Sequence, residues 1–351
     1  MENVISELEC NTKTITEPER DALFDNYRVF LIVLVVMSHF MDLSYEHNMI
    51  FMPLKWFIVS FHMPAFLFVS GYFSKKKTSV GKLIQKIGIP YLVYEVVFYL
   101  IYTFGIHKPT KLYLLRPKFA MWFLMVLFFY KLTAPYIRKI PGHMILLAGA
   151  GLGIGLAGVG NFLSIPRFLV YYPFFMAGVH LSSDRVKELR SRATPLKISL
   201  AALVSGAITT GFAVAGYSTR IYYGRYSYDY LGQTPAEGIL TRALAYVAGG
   251  LMIYFFLVIL PDRKLKISYI GQRTMPVYIF HAFVWVTLGY GSSVLKHIDG
   301  VGPSALTLAA CIFMVWLFSR KPFVKVTDAV GNIPEMLKMI FQHNFKKIDA
   351  K

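Results

Sequence analysis

Charged side chains are scarce, at 16% of 351 residues, and acids are the scarcer sign, with 19 Asp and Glu against 37 Lys and Arg. So little charge beside a 56% hydrophobic content excludes an ordinary soluble domain of this length. Cysteine is nearly absent: Cys10 lies in a polar N-terminal stretch and Cys311 in the last apolar run, so neither a disulfide nor a cysteine metal site is expected. Internal repeats and nucleic-acid fold signatures are lacking too, and the +18 net charge points to membrane topology and anionic lipid rather than to a nucleic acid. The opening MENVISELECNTKTITEPERD is polar and acidic, unlike a signal peptide, which starts basic and soon turns apolar.

What the chain does have is apolar runs long enough to cross a ~30 Å hydrocarbon core as helices. Ten are expected, at 27–44, 50–73, 87–105, 119–137, 143–160, 167–182, 196–217, 238–260, 269–291 and 303–320. The fold class expected is an all-α integral membrane protein, with a polar tail over 1–24, one membrane domain over 25–325 and an amphipathic tail over 326–351. With the N-terminus inside, fifteen loop Lys and Arg fall on the inner side and eight on the outer, which favours cytoplasmic ends. In PEMLKMIFQHNFKKI the apolar residues recur at helical spacing among lysines, as in a helix lying on the inner leaflet.

The first run, YRVFLIVLVVMSHF, carries Arg28 and His39 eleven residues apart. That is about three whole turns and ~16 Å of rise, so both share one helix face at different depths. A basic residue at the inner end of a first span is ordinary and can snorkel. His39 is more telling, because an ionisable group inside a span is costly and tends to face a polar cavity. Asp42 follows at i+3, where it can fix the imidazole tautomer and support a general base. On spacing alone this pair fits proton abstraction from a hydroxyl or a step in proton-coupled transport.

Five further segments follow in order: FHMPAFLFVSGYFSKKK from Phe61, IGIPYL around Pro90, MWFLMVLFFYKL from Met121, YYPFFMAGVHL from Tyr171 and YIGQRTMPVYIFHAF from Tyr269. Together they resemble the membrane-bound acyltransferase-3 family, and within it the fucose 4-O-acetylase-like branch, over about residues 25 to 290. The resemblance implies transfer of an acyl group, often acetyl, from cytoplasmic acyl-CoA to a hydroxyl of an envelope or exported glycan. It implies a multi-pass protein of the bacterial cytoplasmic membrane, with acyl-CoA as co-substrate, no tightly bound cofactor and no metal. Arg28 and His39 match the family's basic residue and histidine in the first span, with His39 as catalytic base. The family's inner Arg-x-x-Arg pair is replaced here by Lys82 and Lys86, one residue further apart. Lysine is a point charge where arginine forks, so these two would hold CoA phosphates by charge alone.

Other motif residues keep two readings each. His62 lines the cavity of His39 or bonds a neighbouring carbonyl. Ser70, Gly71 and Tyr72 allow either close helix packing or approach of the donor, with Tyr72 on the donor side. Glu95 is a functional buried acid or the partner of Arg242 or Lys131. Arg242 could bind the acceptor or stabilise an oxyanion, and Arg167 and His281 are expected to line the cavity. Trp122 reads as an interfacial anchor. The loop YSTRIYYGRYSYDYL, including Tyr228, suits sugar-ring recognition or a place among lipid headgroups. The rival to an enzyme is a transporter or flippase for glycolipid or polysaccharide units, which would use the same polar cavity without chemistry.

Overall fold

The computed structural model describes residues 21–335, so the polar tail and the amphipathic PEMLKMIFQHNFKKI pattern lie outside the described residues from 20 down and from 336 up. The described residues form helices joined by turns and by two longer connections, 106–118 and 215–234, with no strand among them. The helices are α1 (Ala22–Met41), α2 (Phe51–Tyr72), α3 (Val80–Gly105), α4 (Phe119–Ile137), α5 (His143–Leu156), α6 (Phe162–His180), α7 (Ser183–Ser191), α8 (Pro195–Val214), α9 (Pro235–Ile259), α10 (Thr274–Gly291), α11 (Val301–Phe318) and α12 (Lys321–Gly331).

Eight of these, α1 to α4, α6, α8, α9 and α11, are long and apolar enough to cross a membrane. Helices do occupy all ten expected stretches, but two fall short of the expectation. α5 spans His143–Leu156, about 21 Å against the ~30 Å core. α10 has 18 residues but interrupts its apolar run with Tyr278, His281, Trp285 and Tyr290. The first helix also begins earlier than the expected tail boundary, because Asp21 caps it by accepting from the Phe24 N–H.

α1 is the central helix, with 78% of its apolar window buried, whereas α8 and α11 bury only 22% and form the outside of the bundle. Its start is fixed by Asn26, which donates to the carbonyls of Pro261 (2.8 Å) and Arg263 (3.0 Å) and accepts from the Ser268 hydroxyl at 2.6 Å. Past its end, Asn48 accepts from the Ile50 and Phe51 N–H groups at 2.9 Å each and so starts α2. α3 contains two π-helical turns, Ile84–Gly88 and Ile101–Gly105, of the kind that cluster at functional sites.

α2 and α6 cross at backbone contact, which settles the reading of Gly71 in favour of packing. A Cβ on Gly71 would lie 1.9 Å from the Phe175 carbonyl oxygen, and one on Gly178 would lie 1.9 Å from the Phe68 carbonyl oxygen. Neither backbone can yield without parting the helices. Gly178→Ala is therefore expected to destabilise the protein by roughly 1–3 kcal/mol as an overpacking change, read as a lower midpoint of thermal unfolding in detergent. Gly206→Ala on α8, where a Cβ meets nothing within 4 Å, is the control.

Candidate active site

A cavity of about 490 Å³ opens beside the C-terminal end of α1, a size suited to a small ligand or substrate arm. α1 lines it with Ile32, Val35, Ser38 and His39, and its C-cap Asp42 continues the same stripe. α2 adds Lys55, His62, Met63 and Phe66, and α10 adds Tyr278, Trp285 and Tyr290. Its rim comes from the loops at the same end: Tyr45 and Glu46, Pro117 and Phe119, Asn161, and the stretch from Thr219 to Tyr226.

His39 keeps a quarter of its side chain exposed. Its Nδ1 is buried and lies 3.6 Å from Asp42 Oδ2, an electrostatic contact too long to be a hydrogen bond. With Nδ1 turned to the carboxylate, the Nε2 edge is the one left for a substrate. The backbone beneath is held by Trp285, whose indole N–H donates to the His39 carbonyl at 2.6 Å. Phe119 packs its ring 4.7 Å from the imidazole and stacks on Trp285 at 4.3 Å. It does so from φ 39°, a left-handed conformation that is costly for a bulky residue and characteristic of functional sites.

Asp42 has a second and closer partner. Lys55, with only 2% of its side chain exposed, bonds Asp42 Oδ1 and donates to Ser38 O at 2.8 Å and Ser38 Oγ at 2.9 Å. All three ammonium donors are thus used. The Tyr223 hydroxyl also donates to Asp42 Oδ1 at 3.2 Å. Burial opposes ionisation of Asp42, but Lys55 and then His39 outweigh it and hold the carboxyl below the usual carboxylate range. Burial, reinforced by the Asp42 charge, raises the Tyr223 phenol well above its ordinary value, so it stays protonated and donating. Asp42 is an anion fixed between Lys55 and the His39 ring.

His62 satisfies both of its readings. Its Nδ1–H donates to the Ile58 carbonyl at 2.8 Å, and the ring lines the cavity. His281 makes the matching bond to Val277 O at 2.8 Å and stacks 5.5 Å from His39, behind it rather than on the cavity wall. Arg167 reaches the cavity with its guanidinium 4.6 Å over the Trp122 ring. Trp122 itself is buried and faces the cavity, which corrects its reading as an interfacial anchor.

Other expected site residues lie elsewhere. Glu95 pairs with neither Arg242 nor Lys131. It accepts from the Lys118 N–H at 2.6 Å and stands 4.0 Å from the Lys118 ammonium, which burial pushes below its ordinary pKa against the pull of Glu95. Lys131 instead donates to Ser74 Oγ at 2.7 Å. Arg242 donates to Gly151 O (3.1 Å) and Tyr226 O (3.0 Å) and lies 4.5 Å over the Tyr228 ring, bracing the 226–228 loop against α5. Tyr228 is buried, with its hydroxyl on Leu152 O at 2.6 Å. In that loop Tyr222, Tyr223 and Tyr226 line the cavity.

Arg28 lies at the opposite end of α1, 3.9 Å over the Phe73 ring and 3.8 Å from Asp25. Beside it Tyr72 stacks on Phe24 at 3.8 Å and donates to Asp21 Oδ2 at 3.0 Å, and Lys75 sits 3.6 Å over the Tyr72 ring. Lys82 and Lys86 are exposed on α3. The cavity's lowest α1 residue, Ile32, lies one turn above Arg28, ~6 Å along the axis.

The described residues are all-helical, with multiple membrane-length helices as in a multi-pass membrane protein, and they hold a histidine beside a carboxylate on a cavity with charged and apolar walls. The chain matches the profile of the acyltransferase-3 family, described as an acyltransferase domain, over residues 21–319. It belongs to that family and is a membrane acyltransferase. Searches of curated proteins and of solved structures gave no match.

Proposed function

We propose that this protein is an O-acyltransferase of the fucose 4-O-acetylase-like branch that moves an acyl group, acetyl by preference, from acyl-CoA to a hydroxyl of an envelope or exported glycan. The observation that carries the reading is His39, backed by an ionised Asp42, on a cavity whose wall runs down α1 to within one turn of Arg28. In this reading α5 and α10 join the eight membrane-length helices in the bilayer of a bacterial cytoplasmic membrane, and both chain ends face the cytoplasm. The donor's phosphates rest on the basic rim of Arg28, Lys82 and Lys86, with Tyr72 beside it. Its pantetheine arm follows α1 toward His39, a separation of ~16 Å.

His39 Nε2 takes the proton of the acceptor hydroxyl as its oxygen attacks the thioester carbonyl. The C–S bond then breaks, and the CoA thiolate leaves with the proton returned by the imidazolium. An ester and free CoA are the products. The buried, fixed Asp42 favours the imidazolium that forms in between, as a preorganised charge does.

The test is purified protein in nanodiscs given acetyl-CoA labelled in the acetyl group and extracted envelope glycans. Label in alkali-labile ester on the glycan is expected, together with stoichiometric free thiol. The absence of both label transfer and thiol release would overturn the reading and favour translocation of the glycan instead.

A further inference from the structure

The rim of the cavity is more basic than acyl transfer to a neutral hydroxyl needs. Four cations line it, Lys55, Arg167, Arg220 and Arg225, against Asp42 and Glu46. Lys55 is spent on Asp42 and Ser38. Among the described residues, none of the three arginines has a carboxylate partner within ion-pair distance. Arg167 makes only long contacts to neutral groups, Nε to Tyr223 O at 3.3 Å and Nη1 to Asn161 Oδ1 at 3.4 Å, while Trp122 supports the flat of its guanidinium. Arg220 and Arg225 are exposed on the loop that carries Tyr222 and Tyr223. Three unpaired guanidinium groups converging on one cavity form a receptor for an anion, because their planar forks match carboxylate and phosphate oxygens.

Resting on the acyltransferase reading, we infer that the acceptor is an acidic glycan, one bearing carboxylate or phosphate groups, and that Arg167, Arg220 and Arg225 hold its anionic group while a neighbouring hydroxyl meets His39. The donor's own phosphates are the competing anion. They are assigned to the Arg28 end because basic residues gather there as well, at the far end of α1, and one CoA molecule cannot place its phosphates at both ends.

The inference is tested on the whole protein in nanodiscs of zwitterionic lipid, with a neutral β-1,4-glucan oligomer, the same oligomer oxidised to glucuronate at C6, and a glycerol phosphate oligomer. Binding is measured by calorimetry without donor, and acetyl transfer separately. At low ionic strength at least one acidic oligomer is expected to bind about tenfold or more tighter than the neutral one, as charge-assisted forks should. The preference should collapse at roughly 1 M salt, where the screening length is about 3 Å. Comparing the two acidic oligomers tells carboxylate from phosphate. Arg220→Gln with Arg225→Gln, both at exposed positions, should remove most of the preference and raise KM for the acceptor without a matching fall in kcat, and Arg→Lys at both should restore part of it. Equal binding of neutral and acidic oligomers overturns the inference, as does a loss that falls on acyl-CoA affinity instead of acceptor affinity. If acidic oligomers bind selectively but no glycan accepts label, the acyltransferase reading fails and the anion site stands.

Discussion

Acyl transfer by His39→Ala is expected to fall by about 10²–10⁴-fold, the range for removing a positioned general base. The loss should appear in kcat and kcat/KM alike, because the proton moves only in the transition state and bound substrates gain little from the imidazole. His39→Gln is the more exacting variant, since a glutamine retains bulk against Phe119 and Trp285 but cannot take a proton. Both variants should lose activity together. Steady-state rates with labelled acetyl-CoA, measured beside thermal unfolding to confirm the fold, decide the matter. A glutamine variant that transfers at near wild-type rate would mean that His39 packs the cavity and does not act as base.

The pairing of His39 with Asp42 was legible because both lie on one helix three residues apart, where geometry follows from sequence spacing alone. The helical stretches were legible for a similar reason, since hydropathy is a local property of the chain. Lys55 was not legible. In PLKWFIV it reads as an ordinary basic residue at the start of a span, and only the packing of α2 against α1 turns its ammonium onto Asp42 and Ser38. The same limit governs Glu95, whose partner Lys118 lies on a loop while Arg242 and Lys131 are engaged elsewhere. Which of several cations meets a buried acid depends on how elements dock, a relation that no local pattern records. The loop tyrosines show the same limit in miniature. Tyr223 bonds Asp42, whereas Tyr228 fills the space above Gly155 and Gly238 and turns its hydroxyl to a helix carbonyl. Composition makes them equivalent, and the backbone path separates them. Length and composition support eight of the ten expected spans; α5 and α10 match the apolar pattern, but one is short and the other carries polar rings.

Removing Lys55 is expected to be the most destabilising single change in the site. Lys55→Met leaves the Asp42 carboxylate without its cation and frees two oxygens of Ser38. Stranding one member of a buried pair typically costs 3–5 kcal/mol. Asp42 keeps 24% of its side chain exposed, so solvent can take up part of its charge and the expected loss is about 3 kcal/mol, the low end of that range. The double variant Lys55→Met with Asp42→Asn removes both charges and should recover most of the stability, read as the midpoint of thermal unfolding in detergent. It should not recover activity, because His39 then faces an amide that no longer favours the imidazolium. Stability and catalysis therefore separate in this cycle: the single variant loses both, and the double regains only the first. If the single variant unfolds at the wild-type temperature, the ion pair contributes nothing to the fold. If the double variant regains full transfer, Asp42 serves Lys55 alone and His39 acts without it.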